Sequence, residues 1–192
     1  MKKIVFIFII VFNFQTLSKA SDIFDFDIAK MNIGLSLLHY VSKNEINDKK
    51  VFFNAGSKGL KKEYSAILLT DKKIIDKYDA LRIYFISSDK NYIIQSIAAY
   101  KHFPNKFKEC ELLKEQTSKN IKRKINTNYK FKKLNNIPLK GSSGIRNMVQ
   151  FKFEDNSAIK ILCYDYLNNT DRFTLIVEGS HFYEFQKKRA YK

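Results

Sequence analysis

Residues 105–125 read NKFKECELLKEQTSKNIKRKI, and this stretch decides the fold. On a helical wheel a mostly apolar set of its side chains falls in one stripe roughly 120° wide, the kind of face that a surface helix buries. The stripe consists of Phe107, Cys110, Leu113, Thr117, Ile121 and Ile125. We therefore predict one long amphipathic helix here, packed on a β-sheet built from the strand-like runs on either side.

Strand patterns flank the predicted helix. Ahead of it they cover residues 51–53, 64–70, 81–87 and 92–100, and Ser88-Asp89-Lys90-Asn91 predicts a hairpin between the last two. After it they cover 148–153, 158–166 and 172–178, which the turn pairs Asp155-Asn156 and Asn168-Asn169 connect into a three-stranded meander. Residues 54–62 and 130–147 show little periodicity and are predicted as loops, the second ending in the turn Gly141-Ser142-Ser143-Gly144.

Short helices are predicted at both ends of the chain. Asn32 is a candidate N-cap for a helix that reaches Tyr40, and Ser42-Lys43-Asn44-Glu45 has the form of a capping box. Ser180 can cap a closing helix after the last strand. The fold class is therefore α+β, an antiparallel sheet with one long helix and short N- and C-terminal helices. Residues 21–192 form a single domain, with two α+β halves (33–103 and 105–178) as the alternative.

The N-terminus has the pattern of a secretory signal peptide. Lys2 and Lys3 precede the apolar run 4–12, and Ser18 and Ala20 are small residues at the positions that signal peptidase reads. We predict cleavage after Ala20 and a periplasmic or secreted protein with no transmembrane segment. The alternative is an uncleaved anchor, but a spanning helix needs about 20 apolar residues and this run has about half that number.

The chain is strongly basic, with a formal net charge of +16. Residues 1–20 hold three of the 35 Lys and Arg and none of the 19 Asp and Glu, so cleavage would leave +13. Such a charge attracts anionic partners, which outside the cytoplasm are lipid headgroups and acidic envelope polymers. Nucleic acid is not an expected partner of an exported protein. The abundance of Lys, Ile and Asn is also what an AT-rich genome produces without selection for charge.

Both cysteines, Cys110 and Cys163, lie beyond the predicted cleavage site. Two thiols in an exported domain are more often bonded than free. Cys110 lies on the apolar stripe of the helix, and Cys163 alternates with Ile159 and Ile161 on one face of a strand. We predict a disulfide between them, with two buried, unpaired cysteines as the alternative.

The opening of the predicted mature chain carries a resemblance. Residues 25–38 read D-F-x-I-x-x-M-x-I-G-x-S-L-L, and the runs Tyr92-Ile93-Ile94 and Cys163-Tyr164-Asp165 follow later. This pattern resembles small uncharacterised exported proteins of AT-rich bacteria. More distantly, a helix pair followed by antiparallel strands is similar to the β-lactamase-inhibitor-like architecture. The resemblance implies an α+β fold and brings no catalytic residues.

No motif for catalysis, metal binding or cofactor binding stands out. His39, His102 and His181 are isolated, with no i, i+4 partner. Gly141-Ser142-Ser143-Gly144 is not a nucleophile elbow. Asp165 and Glu178 lie on neighbouring predicted strands and are the one carboxylate pair considered. We assign no catalytic residue, metal ligand or cofactor, and whether the protein is an enzyme stays open, with a non-enzyme favoured.

A basic segment is the one candidate binding site. Residues 116–153 contain ten Lys or Arg and no Asp or Glu. The predicted anion-binding residues are Lys122, Arg123 and Lys124 at the helix end and Lys130, Lys132 and Lys133 in the following loop, next to Tyr129 and Phe131. The alternative is an ordinary solvated helix end and loop in a Lys-rich chain.

Three functional hypotheses follow from the sequence. The first is a non-catalytic module that binds another protein through its sheet face or basic loop. The second is a binder of anionic envelope polymer or lipid through that loop. The third is a hydrolase with a site assembled from scattered residues, which would need a deep pocket lined by His, Asp or Glu.

Overall fold

The computed structural model describes residues 22–53, 63–139, 144–167 and 170–189, and its main feature is one antiparallel sheet. In chain order the strands are β1 (Val51–Phe53), β2 (Tyr64–Leu69), β3 (Ala80–Ile86), β4 (Ile94–His102), β5 (Tyr129–Pro138), β6 (Gly144–Phe153), β7 (Ala158–Tyr166) and β8 (Arg172–Glu178). They pair in the order β1-β2-β3-β4-β8-β7-β6-β5. Two four-stranded meanders therefore meet where β4 pairs with β8, and the sheet is continuous through both.

Four α-helices accompany the sheet in the described part of the chain. They are α1 (Lys43–Lys49), α2 (Lys72–Ile75), α3 (Phe107–Lys124) and α4 (Ser180–Arg189), and 3₁₀ turns occupy Asp22–Asp25 and Leu37–His39. The long helix α3 packs on β7 and β8. The predicted α+β fold with one long helix on an antiparallel sheet is confirmed. Among the described residues, no helix combines the length and the apolar character needed to cross a membrane.

One side of the sheet, here called the helix-covered face, holds the main core. Its strand residues alternate with those of the other side, as the two-residue repeat of a strand requires. On β6 to β8 the buried side chains of this face are Val149, Phe151, Phe153, Ile159, Ile161, Cys163, Phe173, Leu175 and Val177. The segment before β1 and helix α3 pack over them, so this face is closed to solvent.

The opposite side, here called the open face, is only partly covered. Helix α4 lies over its β2–β4 end, where Phe182 packs against Tyr64 and Tyr84 with ring centroids 5.0 and 4.7 Å apart. The predicted closing helix is therefore confirmed. It forms a second, smaller core and leaves the β5–β7 part of the open face without a covering helix among the described elements.

The buried side of α3 is rotated from the predicted stripe. Its buried residues are Cys110, Lys114, Ser118 and Ile121. Lys114 has no exposed surface and holds Glu111 through a 2.7 Å ion pair. A buried lysine on the sheet side is possible because the charge is paired where it is buried. Thr117, near the centre of the predicted stripe, and Leu113, at its edge, are only partly buried.

The predicted disulfide is present. Cys110 on α3 and Cys163 on β7 are bonded, with their Cα atoms 5.9 Å apart and 53 residues between them in sequence. Both residues are fully buried on the helix-covered face. The bond therefore ties the long helix to the centre of the second meander.

The prediction of a loop at 130–147 is wrong over most of its length. Residues 129–138 form β5, which pairs with β6 in the register Phe131 opposite Phe151 and Lys132 opposite Gln150. The alternation was masked because β5 is an edge strand whose outward residues are mostly lysine and whose register shifts between Leu134 and Ile137. Charged edge strands of this kind resist pairing with other chains.

The predicted helix from Asn32 to Tyr40 is also wrong. Gly34 donates its backbone N–H to the Ile94 carbonyl at 2.9 Å, and Ser36 forms a bridge with Ile93. Only Leu37–His39 are helical, as a 3₁₀ turn capped by Ser36. Hydrogen bonds to β4 prevailed over the local helix preference.

The predicted leader 1–20, the loop 54–62, and most of the turns at 141–144 and 168–169 lie outside the described residues.

The N-cap at Ser42, one half of the predicted capping box, is confirmed. The Glu45 N–H donates to Ser42 Oγ at 3.3 Å, and α1 begins at the next residue. Replacing Ser42 by alanine is expected to lower the free energy of unfolding by about 1 kcal/mol because this donor loses its partner. Urea denaturation measures the loss. Ser42→Asp keeps an acceptor and should stay near the native value; an alanine variant as stable as the native protein would contradict this role.

Candidate binding groove on the open face

The charged strand residues of the open face are almost all basic. Because side chains alternate along a strand, those that face away from α3 form one surface. Its basic strand residues are Arg82, Lys130, Lys132, Arg146, Lys152, Lys160 and Arg172. Glu178 is the acidic residue among the described strand positions of this face. The open face therefore presents a positive potential to solvent.

A cavity of about 310 Å³ lies in this face, bordered by α4 on one side. Tyr84, Tyr100 and Tyr164 contribute aromatic walls, and Met148, Leu162 and Ile176 contribute apolar surface. Its polar residues are Ser96, Arg146, Gln150, Lys160, Glu178, Gln186 and Lys187. The volume is at the lower end of the range usual for ligand sites. We call this cavity the groove.

A row of three side chains crosses the sheet beside the groove, and two of them, Arg146 and Tyr164, line it. Arg146 on β6 is directly opposite Tyr164 on β7, which is directly opposite Arg172 on β8. The guanidinium carbon of Arg172 lies 4.9 Å from the Tyr164 ring centroid and 5.1 Å from that of Tyr100. Arg172 Nη2 also donates to the Tyr166 hydroxyl at 3.2 Å. The aromatic rings therefore hold the Arg172 side chain in place.

Three buried polar atoms beside this row lack hydrogen-bond partners among the described residues. They are Nε of Arg146, Nε of Arg172 and Oγ1 of Thr174. Thr174 is adjacent to Arg172 along β8 on the same face and is opposite Leu162 and Tyr100. Buried polar atoms are usually paired, so unpaired atoms beside a cavity mark a place where a ligand oxygen would supply a missing partner. Of the three residues, Arg146 lines the groove.

Glu178 also lines the groove. It is 1 % exposed, and Lys160 Nζ is 2.6 Å from its Oε2. Burial raises the pKa of Glu178, against the opposing effect of Lys160. Lys160 also lies 5.1 Å from the ring centroid of Tyr183 on α4. Lys160 therefore connects the buried acid to the helix that borders the groove.

Two tyrosines of the groove, Tyr84 and Tyr100, remain neutral over the physiological range. Burial raises the pKa of Tyr84 to about 12, and the neighbouring Tyr100 adds to the shift. Burial also raises the pKa of Tyr100, against the opposing effect of Arg82 and Arg172. The Tyr84 hydroxyl hydrogen-bonds Tyr100, and the protonated Tyr100 hydroxyl can donate to an acceptor in the groove.

The structure divides the predicted anion-binding residues between two surfaces. Lys130 and Lys132 point to the open face, where Lys130 is directly opposite Lys152. Lys133 lies with α3 and bonds Glu115 at 2.8 Å, and this hydrogen bond lowers the pKa of Glu115. At the end of α3, Lys122 Nζ lies 3.7 Å from the Phe131 ring centroid, Arg123 donates to Asn120, and Lys124 is exposed. The six residues do not form one cluster.

The residues considered for catalysis do not converge. Asp165 is on the helix-covered side of β7, as Cys163 is, whereas Glu178 faces the groove, so the two carboxylates are separated by the sheet. The His102 backbone N–H donates to Asp79 at 2.7 Å, and His39 and His181 do not line the groove. Within the described ranges no group of His, Cys, Asp and Glu converges as metal ligands would.

Sequence reasoning missed most of the groove. Arg146 lies in the predicted loop 130–147, and Lys160 and Arg172 lie in two separate predicted strands, so only the register brings them into one surface. The residue types on β7 do contain a signal that this face is not simply solvated. The outward positions of β7 carry Leu162, Tyr164 and Tyr166, although a solvated strand face is normally polar.

The fold and the groove define an α+β protein with a basic, tyrosine-lined cavity on one face of its sheet. Comparison of the chain with known protein families, curated proteins and solved structures finds no match. The resemblance to small exported proteins and to the β-lactamase-inhibitor-like architecture therefore stays a prediction. Function is inferred from the geometry alone.

Proposed function

We propose that this chain is an exported, non-catalytic module that binds another protein through the open face of its sheet. The groove carries the proposal. Tyrosine, arginine and methionine are the residue types enriched at protein interfaces, and here Tyr100, Tyr164, Arg146 and Met148 line one cavity. Such side chains offer large contact area together with hydrogen-bond donors.

Export is supported by two independent features. Residues 1–20 have the pattern of a cleaved leader, and the bond between Cys110 and Cys163 is typical of proteins that fold in an oxidising compartment. We therefore place the binding partner in the periplasm or outside the cell.

The groove supports binding better than hydrolysis. Glu178 is the acidic residue that lines it among the described residues, and its charge is already engaged by Lys160. A glycosidase-type reaction needs a second carboxylate, and a nucleophilic mechanism needs a base next to the nucleophile. Ser96 Oγ instead donates to the Val177 carbonyl at 2.9 Å.

Site-specific photo-crosslinking in the native envelope tests the proposal. A photoreactive amino acid at Gln150, which lines the groove, is expected to give one discrete protein adduct, identified by mass spectrometry. The same residue at Leu112, 63 % exposed on α3, is the matched control and should not give that adduct.

Equal adducts from both positions, or none from Gln150, would overturn protein binding at this face. The absence of an adduct would favour the second hypothesis, an anionic envelope polymer or lipid. Lys130 and Lys152 are directly opposed on neighbouring strands, which supports that alternative. Two like charges in this arrangement repel each other, and an anion bound between them would reduce the repulsion.

A further inference from the structure

We infer that the row of Arg146, Tyr164 and Arg172, here called the arginine row, anchors a carboxylate side chain of the partner. This inference rests on the proposed function and names the chemistry of the partner's contact. The partner would place an aspartate or glutamate of an exposed segment into the groove at Arg146, beside the Tyr164 ring.

The register brings the two arginines to one place. Directly opposed residues on neighbouring antiparallel strands have Cβ atoms about 5 Å apart, so Arg146 and Arg172 flank Tyr164 on both sides. Both side chains are long enough to reach a group that lies beside the ring. The contacts of Arg172 with Tyr100 and Tyr164 hold its guanidinium plane before any ligand arrives.

Among the residues that the structure describes, neither guanidinium group has an acidic partner. Glu178, the acid of the groove, is 2.6 Å from Lys160, and Asp165 lies on the helix-covered side of β7. The buried Nε atoms of Arg146 and Arg172 have no acceptor among the described residues. Arg146 in the groove and the Arg172 guanidinium next to it, which its ring contacts hold in place, create a site that an anion with paired oxygens satisfies.

The surroundings favour a carboxylate of a protein. A guanidinium fork matches the two oxygens of a carboxylate in one plane, and Tyr100 and Tyr164 provide flat surfaces beside it. Met148 and Leu162 border the row with apolar surface that suits the methylene groups of an acidic side chain. A phosphate polymer would not use this apolar surface.

Side-chain NMR tests the inference directly. The probes are N-acetyl-glutamate N-methylamide, its glutamine counterpart and inorganic phosphate, each titrated into the ¹⁵N-labelled protein. We expect the Nε–H signals of Arg146 and Arg172 to shift and saturate with the glutamate probe and to stay in place with the glutamine probe. Phosphate should bind at least tenfold more weakly, and saturation at equal or lower phosphate concentration would overturn the carboxylate assignment.

Three variants test whether the two arginines bind the carboxylate specifically or only through their positive charge. Arg172→Lys keeps the charge but loses the planar fork, and it should weaken the glutamate probe at least tenfold, as should Arg146→Gln. Lys187→Gln removes a cation that also lines the groove and should change the affinity less than twofold. Equal weakening by all three variants would show that only net charge matters and would overturn the inference. Amide spectra confirm that each variant is folded.

The crosslinking experiment distinguishes this inference from the proposed function. If Arg146→Gln and Arg172→Lys together leave the Gln150 adduct at native yield, the partner binds without the arginine row. The protein-binding proposal then stands while the carboxylate anchor is wrong. Loss of the adduct in the folded double variant supports both.

Discussion

Replacing Cys110 and Cys163 together by alanine is expected to lower the free energy of unfolding by about 4 kcal/mol. The bond closes a loop of 53 residues, and losing it frees the unfolded chain to explore many more conformations. Guanidinium denaturation of the oxidised protein and of the double variant gives the difference. This loss is a large share of the total, because the free energy of unfolding of small domains is only about 5–15 kcal/mol.

The native protein after reduction is the control for this experiment. Reduced native protein and the double variant both lack the bond, so their unfolding midpoints should agree closely. A double variant within about 1 kcal/mol of the oxidised protein would contradict the role assigned to the bond. Such a result would mean that packing alone holds α3 on β7 and β8.

Replacing Lys160 by methionine is expected to cost about 3 kcal/mol at pH 7 because Glu178 loses its counter-charge while remaining buried. The loss is limited because Glu178 can take up a proton instead. From the ordinary carboxyl pKa of 4.5, protonation at pH 7 costs about 3.4 kcal/mol. Denaturation of the native protein and the variant at pH 7 measures the loss.

The pH dependence gives this prediction a definite sign. Burial raises the pKa of Glu178 in the folded protein above 4.5. At pH values between 4.5 and this raised pKa, the folded state holds a proton that the unfolded state does not. Stability therefore increases as pH falls through the folded pKa and levels off below 4.5. Methionine at 160 raises the folded pKa further, so the deficit of the variant should shrink from pH 7 to pH 5.

The matched control is the double variant Lys160→Met with Glu178→Gln. It has no carboxyl at position 178, so it should recover most of the stability lost by Lys160→Met, and its deficit relative to Glu178→Gln should not depend on pH between 5 and 7. A Lys160→Met deficit that stays constant over this range would show that lost packing, rather than the buried charge, causes it.

Much of the fold could be predicted because its signals are local. The hairpin around Ser88-Asp89-Lys90-Asn91 and the meander of β6, β7 and β8 follow from alternation and turn residues. The N-cap at Ser42 needed only four residues. The pairing of Cys110 with Cys163 followed because each lay on a buried face and no third cysteine competed.

The misses have physical causes of a different kind. The sequence predicts a loop at β5 because an edge strand exposes most of its residues and its outward lysines erase the apolar alternation. It predicts a helix from Asn32 to Tyr40 because the hydrogen bonds of this segment to β4 involve residues far along the chain, which a local pattern does not reveal. The burial of Lys114 depended on the rotation of α3 about its axis, which the sheet surface determines.

The sequence by itself determined the α+β class, the long helix, the disulfide and the export pattern, because periodicity, turn residues and cysteine count act over short stretches of chain. Only the tertiary structure determined where the groove lies and which residues surround it. Arg146, Tyr164 and Arg172 come from three strands, and their meeting depends on the register of β6, β7 and β8. A shift of one residue in that register would turn each side chain to the other face, so no local pattern could place them together.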